Sequence, residues 1–321
     1  MEQSIENIAA QFLFEPVVEN ENKLRPADGY VVGGMGGSHL SAGILKIIDP
    51  TLDLHIHQGY GLPGPQTTWF KNALYIASSY SGNTEETLDF AQTAHEQKYN
   101  LAVISTGGKL IEFAQKNNIP YILLPQGDIQ PRVALGFSLL ALAKLTHGDE
   151  TVSEFKNIGS KLDAMRWKEV GIALADEFKG TIPVIYSSRQ NFALAYSWKI
   201  KFNETAKIPA FYNVLPELNH NEMNGFDAVG STKKFSKDFH FILLEDSADN
   251  PKIMRRMEVL KKVYEDRGHS VKIVSVVGHS PLEKVFNSLI LADWTALSLA
   301  KEYGVEPQAV PMVEEFKKLI S

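Results

Sequence analysis

The sequence of 321 residues predicts an α/β protein with two doubly wound halves, each built on a mainly parallel sheet that helices flank. Two observations predict this fold. Short β-rich runs alternate with helical runs between Tyr30 and Leu145, as parallel strands joined by helices require. The alternation then restarts after a polar stretch at 146–150. Because the chain is long for one core, we expect one domain over 1–150 and a second over 151–321.

The predicted strands are short runs of apolar and β-branched residues. Those of the first half, most of them followed by a helix, are Tyr30–Val32, Leu54–His57, Ala73–Ala77, Leu101–Ser105 and Tyr121–Leu124. Those of the second half are Ile182–Tyr186, Ala210–Val214, Phe239–Leu244 and Val271–Val277. Its main helices are predicted at Phe192–Ala206, Pro251–Arg267 and Pro281–Tyr303.

A polar loop between the third predicted strand and a helix is the first candidate ligand site. Residues 79–87 read Ser-Tyr-Ser-Gly-Asn-Thr-Glu-Glu-Thr. The first N–H groups of a helix lack intrahelical partners and the helix dipole is positive there, so an anion binds without a basic side chain. Ser79, Ser81 and Thr84 add hydroxyl donors. The alternative is that Asn83 or Thr84 merely caps the helix.

A glycine-rich turn after the first predicted strand favours the ligand site. Residues 33–38 read Gly-Gly-Met-Gly-Gly-Ser and precede an apolar helical run. Glycines allow a ligand to approach the backbone closely. The turn does not complete G-x-G-x-x-G, and the serine loop lacks the G-K-[ST] ending of a nucleotide-binding P-loop. A compact phosphomonoester therefore fits better than a nucleotide.

Composition argues against several classes of function. The net charge of -6 and the lack of a lysine/arginine block argue against a nucleic-acid surface. The absence of cysteine excludes disulfides and cysteine-ligated zinc. No run approaches the length of a membrane span and no signal peptide is evident, so we expect a cytoplasmic protein. His55 and His57 share a strand face, but without a third ligand we expect no metal.

Three polar residues outside the loops are candidates for chemistry, namely Glu204, His220 and Lys317 near the C-terminus, and Arg132 is a further candidate for binding a ligand. Glu204 ends a predicted helix at an expected interface between the halves, where partial burial would raise its pKa toward that of a general base. His220 follows a strand, and imidazole is the side chain best suited to proton transfer to a sugar ring oxygen near neutral pH. Glu217 and Glu222 are nearby alternatives both for the general base and for the group that transfers a proton to the ring oxygen. Arg132 is predicted just inside a helix start, where the dipole disfavours a cation unless a ligand needs it. Each has an ordinary surface role as its alternative.

These segments together resemble the bifunctional phosphoglucose/phosphomannose isomerases of the phosphoglucose isomerase superfamily, which contain two sugar-isomerase (SIS) domains. The resemblance covers nearly the whole chain and rests on the segments 34–38, 78–87, 131–132, 203–210 and 217–222. The serine loop alone would indicate only an SIS domain. The Asn-Glu segment at 203–204 and the Asn-His-Asn-Glu segment at 219–222 are far more specific.

The resemblance implies an aldose–ketose isomerase that converts glucose 6-phosphate, and mannose 6-phosphate, to fructose 6-phosphate through a cis-enediol without metal or other cofactor. Glu204 would move the proton between C1 and C2, and Arg132 would stabilise the enediolate. His220 and Lys317 would open the sugar ring, with His220 supplied by the partner subunit of a homodimer. The substrate phosphate would be held by Gly36, Gly37, Ser38, Ser79, Ser81 and Thr84.

Two departures and two alternatives accompany this interpretation. His39 stands where the family usually has glycine, and Lys318 beside Lys317 is a second candidate for ring opening. One alternative is a non-catalytic SIS protein that senses a sugar phosphate, and the other is an isomerase of another sugar phosphate. A sensor needs the serine loop but not a base, an arginine and a ring-opening pair. Retention of all four elements favours the enzyme.

Overall fold

Two parallel sheets form the framework of the protein, whose computed structural model describes residues 1–64, 68–127 and 129–320. The strands are, in chain order, β1 (Gly29–Gly33), β2 (Leu54–His57), β3 (Ala73–Ser78), β4 (Asn100–Ser105), β5 (Tyr121–Leu123), β6 (Ile182–Ser188), β7 (Phe211–Leu215), β8 (Phe239–Asp246) and β9 (Ser270–Val276). One sheet has the order β2-β1-β3-β4-β5 and the other β7-β6-β8-β9, with parallel pairing throughout. The predicted α/β fold is confirmed.

Helices connect and cover these strands. The α-helices are α1 (Glu2–Glu6), α2 (Leu40–Ile48), α3 (Thr68–Lys71), α4 (Glu85–Glu96), α5 (Gly108–Lys116), α6 (Leu135–Thr146), α7 (Asp149–Gly159), α8 (Lys168–Phe178), α9 (Phe192–Lys201), α10 (Pro251–Glu265), α11 (Pro281–Tyr303) and α12 (Pro311–Ile320). Short 3-10 turns occupy Ile8–Leu13, Glu21–Lys23, Gly36–His39, Met165–Trp167, Glu217–His220, Glu222–Phe226 and Lys233–Phe235. A π-helical turn spans Phe202–Ala206.

The chain divides into two compact units, one for each sheet. The N-terminal unit is Asn7–Leu162, and the C-terminal unit is Met1–Glu6 with Asp163–Ser321. In each sheet the first strand lies between the next two strands of the sequence, so the chain winds outward in both directions. Ligands of such sheets bind beyond the carboxyl ends of the strands at this switch point. The loops after β1, β3, β6 and β8 are therefore the places where a site is expected.

The core of the N-terminal unit holds α4 firmly against the sheet. Every residue of β3 is buried, as expected for a parallel strand covered on both faces. Tyr75 of β3 stacks on Tyr99 with ring centroids 4.7 Å apart, and lies 5.9 Å from Phe90 of α4. Burial of one such ring contributes about 1.5–3 kcal/mol. The helix that begins after the serine loop is thus a rigid support for that loop.

The core of the C-terminal unit is organised by α11. This helix of 23 residues is buried along almost its whole length and packs against α8 and α9. A helix that is apolar on all sides belongs in a core. Ser280 caps it by accepting the Glu283 N–H at 3.2 Å, and Pro281 occupies its first turn. In the described parts of the chain, no helix combines the length and the apolar character that a membrane span requires.

Candidate active site

The serine loop leaves the start of α4 without a side-chain cap. Thr84 occupies the position before the helix, but its hydroxyl makes no capping bond and instead lies 2.9 Å from the hydroxyl of Ser79. The same Ser79 oxygen accepts the N–H of Gly82 at 3.1 Å, where φ is +68°. The loop therefore presents hydroxyls and helix N–H groups, as an anion site needs. Glu85 and Glu86 in the first turn already complement the helix dipole.

The glycine-rich turn contacts the serine loop directly. Ser38 Oγ accepts the backbone N–H of Tyr80 at 2.9 Å, and the Ser38 carbonyl accepts the hydroxyl of Ser78 at 3.1 Å. A Cβ on Gly34 would lie 2.7 Å from the Ser78 carbonyl, so a side chain there would push the two loops apart. Ser38 and the serine loop thus form one polar surface at the carboxyl ends of β1 and β3.

Arg132 lies against the glycine-rich turn. A Cβ on Gly37 would lie 3.2 Å from the Arg132 backbone nitrogen, so the two segments are in close contact. The Arg132 side chain is buried and its Nη1 donates to Gln130 Oε1 at 3.4 Å. Helix α6 begins only at Leu135, so the expectation that Arg132 lies just inside a helix is wrong.

Glu204 lies in the C-terminal unit, on an irregular continuation of α9. The sequence predicts one helix through Ala206, but the chain changes to the π-helical turn after Lys201. The turn ends at Lys207, which has φ +59° and donates its Nζ to the Glu204 backbone carbonyl. Asn203 Nδ2 also donates to the Ile208 carbonyl at 2.9 Å. Glu204 is partly buried, and π-turns of this kind are frequent at functional sites.

His220 lies at the end of a short turn that follows β7. Its ring is exposed and makes no hydrogen bond or ion pair with any residue that the structure describes. The turn borders a groove of about 480 Å³ lined by Asn219, His220, Asn221, Met223, Asp227 and Arg267 among others. Arg267 is neutralised by Asp227 at 2.5 Å. Both imidazole nitrogens thus remain available to a group from outside this unit.

Comparison with known proteins decides the family. Residues 168–320 match the model of the bacterial phospho-glucose isomerase C-terminal SIS domain. A bifunctional phosphoglucose/phosphomannose isomerase from Thermoplasma volcanium is 34% identical, over 93% of this chain and 93% of that protein. Another from Aquifex aeolicus is 31% identical, over 98% and 96% of the two chains. The chain belongs to the bifunctional phosphoglucose/phosphomannose isomerase family.

Other similar proteins match a shorter part of this chain or are less identical to it in sequence. A D-glucosamine-6-phosphate 4-epimerase from Sulfolobus acidocaldarius is 31% identical over 62% of this chain and 64% of that protein. The solved tagatose-6-phosphate ketose/aldose isomerase from Escherichia coli matches with a TM-score of 0.68 at 15% identity, covering 96% of this chain and 95% of that one. The C-terminal domain of glucosamine-fructose-6-phosphate aminotransferase from Francisella tularensis also scores 0.68 at 15% identity, covering 96% of each chain. At such identities the solved structures share the fold.

His39, where the resemblance leads us to expect glycine, follows Ser38 in the 3-10 turn after β1. The imidazole is buried, and Gln58 Nε2 lies 3.1 Å from its Nε2. Burial lowers the pKa of His39 to about 4, although a hydrogen bond involving the Gly36 backbone acts in the opposite direction. The ring is therefore neutral near pH 7 and supports the segment that contains Ser38.

Lys317 lies on α12, a helix with no buried residue. Its Nζ pairs with Glu314 Oε1 at 2.8 Å, and Lys318 follows it in the same helix. Within the described ranges, no hydrogen bond or ion pair joins Lys317 to Glu204 or His220. The ring-opening role of Lys317 stays a prediction.

The histidines of β2 do not gather further metal ligands. His57 stacks on Phe90 with ring centroids 5.8 Å apart, and its Nε2 lies 3.3 Å from the Tyr60 carbonyl. Burial lowers the pKa of His55, and His57 and Lys46 nearby act in the same direction. Among residues 1–64, 68–127 and 129–320, no group of three or more His, Cys, Asp or Glu could hold a metal ion.

Sequence reasoning missed a buried ion pair next to Glu204. Lys201 Nζ lies 2.6 Å from Asp293 Oδ1, and their side chains are 2% and 1% exposed. Asp293 interrupts the apolar run of α11, and Lys201 lies on the buried side of α9. A charged residue within an apolar helix pattern was the signal that would have found both, because such a charge needs a partner.

Proposed function

We propose that this protein interconverts glucose 6-phosphate and mannose 6-phosphate with fructose 6-phosphate. The main support is that its likeness to bifunctional phosphoglucose/phosphomannose isomerases extends over more than nine-tenths of the chain, at 31–34% identity. The likeness therefore includes the loops of the N-terminal unit as well as the Glu204 and His220 segments of the C-terminal unit. A protein that only sensed the sugar phosphate would need the loops alone.

In this proposal the phosphate binds to the joined loops of the N-terminal unit. The uncapped start of α4 and the N–H groups of the glycine-rich turn attract the anion, and hydroxyls complete its coordination. Two observations support this role: the hydrogen bond from Tyr80 to Ser38, and the absence of a side-chain cap at Thr84. The binding residues are Gly36, Gly37, Ser38, Ser79, Ser81 and Thr84.

The proton transfer is assigned to Glu204. Its carboxylate removes the proton from C2 of the open-chain aldose, the carbonyl oxygen at C1 gains charge or a proton, and a cis-enediol(ate) forms. The carboxylic acid then returns the proton to C1 while the hydroxyl at C2 loses its proton, which balances the one gained by the oxygen at C1, so that a carbonyl is left at C2 and a hydroxyl at C1. Arg132 stabilises the enediolate oxygens, a role that suits a fixed guanidinium in a buried position. No electrons leave or enter the pair of reacting carbons, so the proposed step needs no redox partner.

Ring opening is assigned to His220 and Lys317. A proton must move to the ring oxygen while another leaves the hydroxyl at C1, and imidazole does both near neutral pH. The exposure of His220 supports its use by a second copy of the chain, as a homodimer would supply it. The proposed assembly is therefore a homodimer in which each His220 serves the partner subunit.

A coupled assay tests the proposal. Formation of fructose 6-phosphate is followed from glucose 6-phosphate and, separately, from mannose 6-phosphate, with EDTA present. We expect turnover of both substrates. Turnover of neither, with tight binding of a sugar-phosphate analogue, would replace the enzyme with a sensor. Loss of turnover on addition of EDTA would contradict the metal-independent mechanism.

A second candidate is an activity on another sugar phosphate. The epimerase relative supports it, since that protein is as similar as some isomerases over the part of the chain that it matches. Glucosamine 6-phosphate is the matching test substrate. If the protein converts it faster than either hexose 6-phosphate, this candidate replaces the first.

A further inference from the structure

The polar side chains next to His220 in the sequence form hydrogen bonds that fix the backbone of this segment. Unlike His220, the four other polar residues of the segment 217–222 make side-chain hydrogen bonds within the C-terminal unit. Glu217 Oε1 accepts from Asn221 Nδ2 at 2.8 Å, and Asn219 Oδ1 accepts from Arg256 Nη1 at 3.1 Å. Asn221 Oδ1 accepts the backbone N–H of Glu222 at 2.6 Å. Among the polar side chains of this segment, the imidazole of His220 is thus the one that no described residue holds by a hydrogen bond.

The carboxylate of Glu222 attaches this segment to the sheet. Tyr186 Oη donates to Oε1 at 2.5 Å, and Asn213 Nδ2 donates to Oε2. Tyr186 and Asn213 are directly paired in register between the parallel strands β6 and β7. Both oxygens of one carboxylate are therefore fixed by two adjacent strands of the sheet. Hydrogen bonds to an ionised acceptor are short and about twice as strong as neutral ones.

The donor from Tyr186 is itself immobile. Its ring is fully buried and lies 5.6 Å from that of Phe241. Burial, with Tyr264 and Glu222 nearby, raises the pKa of Tyr186, so the phenol keeps its proton and can donate. On the other side of His220, Leu218 is fully buried in the same apolar cluster. His220 is thus held between an apolar anchor two residues before it and a carboxylate anchor two residues after it.

We infer that Glu222 is a positioning residue, which fixes the direction of the His220 imidazole and does not itself contact substrate. This inference rests on the proposed role of His220 in ring opening. It also resolves the competition between Glu222 and His220 that the sequence leaves open. A carboxylate whose two oxygens are held by the sheet is unsuited to move a proton on a sugar.

Glu222→Gln tests the anchor by reversing one hydrogen bond. The amide oxygen still accepts from Tyr186, but its Nε2 faces Asn213 Nδ2, so two donors meet. Asn213 cannot turn its amide freely, because its Oδ1 accepts the Val214 N–H at 2.8 Å. Asn213→Asp in the same chain restores an acceptor and keeps the net charge. Glu258→Gln on α10 is the control, because it makes the same carboxylate-to-amide change at an exposed residue of the same unit that has no proposed role in catalysis or binding.

We expect Glu222→Gln to lower kcat for glucose 6-phosphate by at least about tenfold, the lower range for a mispositioned acid–base group, with KM changed by less than about threefold. The double variant with Asn213→Asp recovers most of the loss. In a His220→Ala background, Glu222→Gln has less than about a twofold effect, because the two residues act as one unit. An equal loss in both backgrounds, or no rescue by Asn213→Asp, overturns the inference. Tyr186→Phe, which removes one bond only, replaces Glu222→Gln if that variant does not fold.

Hydrogen–deuterium exchange separates this inference from the proposed function. Backbone amides of 217–226 exchange faster in Glu222→Gln than in the wild type and return to the wild-type rate in the rescued variant. This readout does not depend on which sugar the protein converts. If the wild type converts neither hexose 6-phosphate but exchange changes as expected, the proposed function fails and the anchor stands. Unchanged exchange overturns the anchor.

Discussion

Lys201 and Asp293 form an ion pair of 2.6 Å in the interior of the C-terminal unit, where both side chains are almost completely excluded from solvent. The pair joins α9 to α11 directly before the π-helical turn that contains Glu204. A buried pair of this kind adds little net stability over an apolar pair, but a single unpaired charge is costly. Its position indicates that it fixes the end of α9, from which the proposed base extends.

Removal of one charge from this pair is expected to be strongly destabilising. Lys201→Met leaves a buried carboxylate without its cation, so the free energy of unfolding falls by about 3–5 kcal/mol. The double variant Lys201→Met, Asp293→Leu should be clearly more stable than the single variant. Denaturant unfolding followed by circular dichroism measures both. Arg255→Met breaks an exposed pair with Glu258 and serves as the control, with an expected loss below about 1 kcal/mol.

Glu204→Gln should abolish isomerisation but leave binding intact. If Glu204 is the base, kcat falls by about a hundredfold or more, since a positioned base contributes at least that factor. The dissociation constant of a sugar-phosphate analogue, measured by calorimetry, stays within about threefold of the wild type because the phosphate contacts are unchanged. Glu258→Gln alters an exposed carboxylate and should affect neither quantity. Turnover like that of the wild type in Glu204→Gln removes this residue from the mechanism.

Ser81→Ala should act on substrate binding. The Ser81 hydroxyl accepts the Asn83 N–H at 3.3 Å and is exposed, so its loss leaves the core unchanged. Because the phosphate is held equally in the ground state and the transition state, we expect KM to rise by about tenfold with kcat nearly constant. Steady-state kinetics measures KM and kcat separately. Ser153→Ala on α7 is an exposed control with no expected effect, and an unchanged KM in Ser81→Ala would assign the loop a structural role.

His39 should make the free energy of unfolding decrease as the pH is lowered from 6.5 to 4. Burial lowers its pKa from 6.5 to about 4 in the folded protein. Below pH 6.5 the unfolded chain therefore binds a proton that the folded chain does not, so stability falls as the pH decreases toward 4 and then levels off. The whole effect is about 3 kcal/mol, since the pKa falls from 6.5 to about 4 and one pKa unit corresponds to 1.36 kcal/mol. His39→Gln should flatten the profile between pH 6.5 and 4 when unfolding is measured across this range. Parallel profiles for the two proteins would contradict the buried, neutral imidazole.

Local sequence patterns were sufficient for the strands and for the polar loops. The predicted strand Leu54–His57 has those bounds in the structure, and the helix Pro281–Tyr303 likewise. These elements depend on residues close together in the chain, such as a Pro at a helix start. Ser79 and Ser38 were also identified from local turns, but the hydrogen bonds that join their loops depend on the order of β1 and β3 in the sheet.

Local patterns fail at Arg132 and at the end of α9. The apolar pattern that follows Arg132 predicts a helix that includes it, but α6 begins only at Leu135 and the chain turns at Arg132 against Gly37. Residues 202–206 continue the helical pattern of α9, yet they form a π-turn closed by Lys207 in the left-handed region. The contact with Gly37 joins residues far apart in the chain, and the apolar pattern of 202–206 does not distinguish an α-helical turn from a π-helical one.

The sequence by itself determined the α/β class, the order of strands and helices, the polar loops after β1 and β3 and the family motifs, because hydrophobic period and turn chemistry act over short distances. Only the tertiary structure decided which polar side chains form hydrogen bonds within the protein and which do not. The carboxylate of Glu222 and the imidazole of His220 are two residues apart in the chain. The carboxylate is bound by β6 and β7, whereas the imidazole makes no hydrogen bond or ion pair in the described part of the chain, because burial and hydrogen bonding depend on neighbours that folding brings from far away.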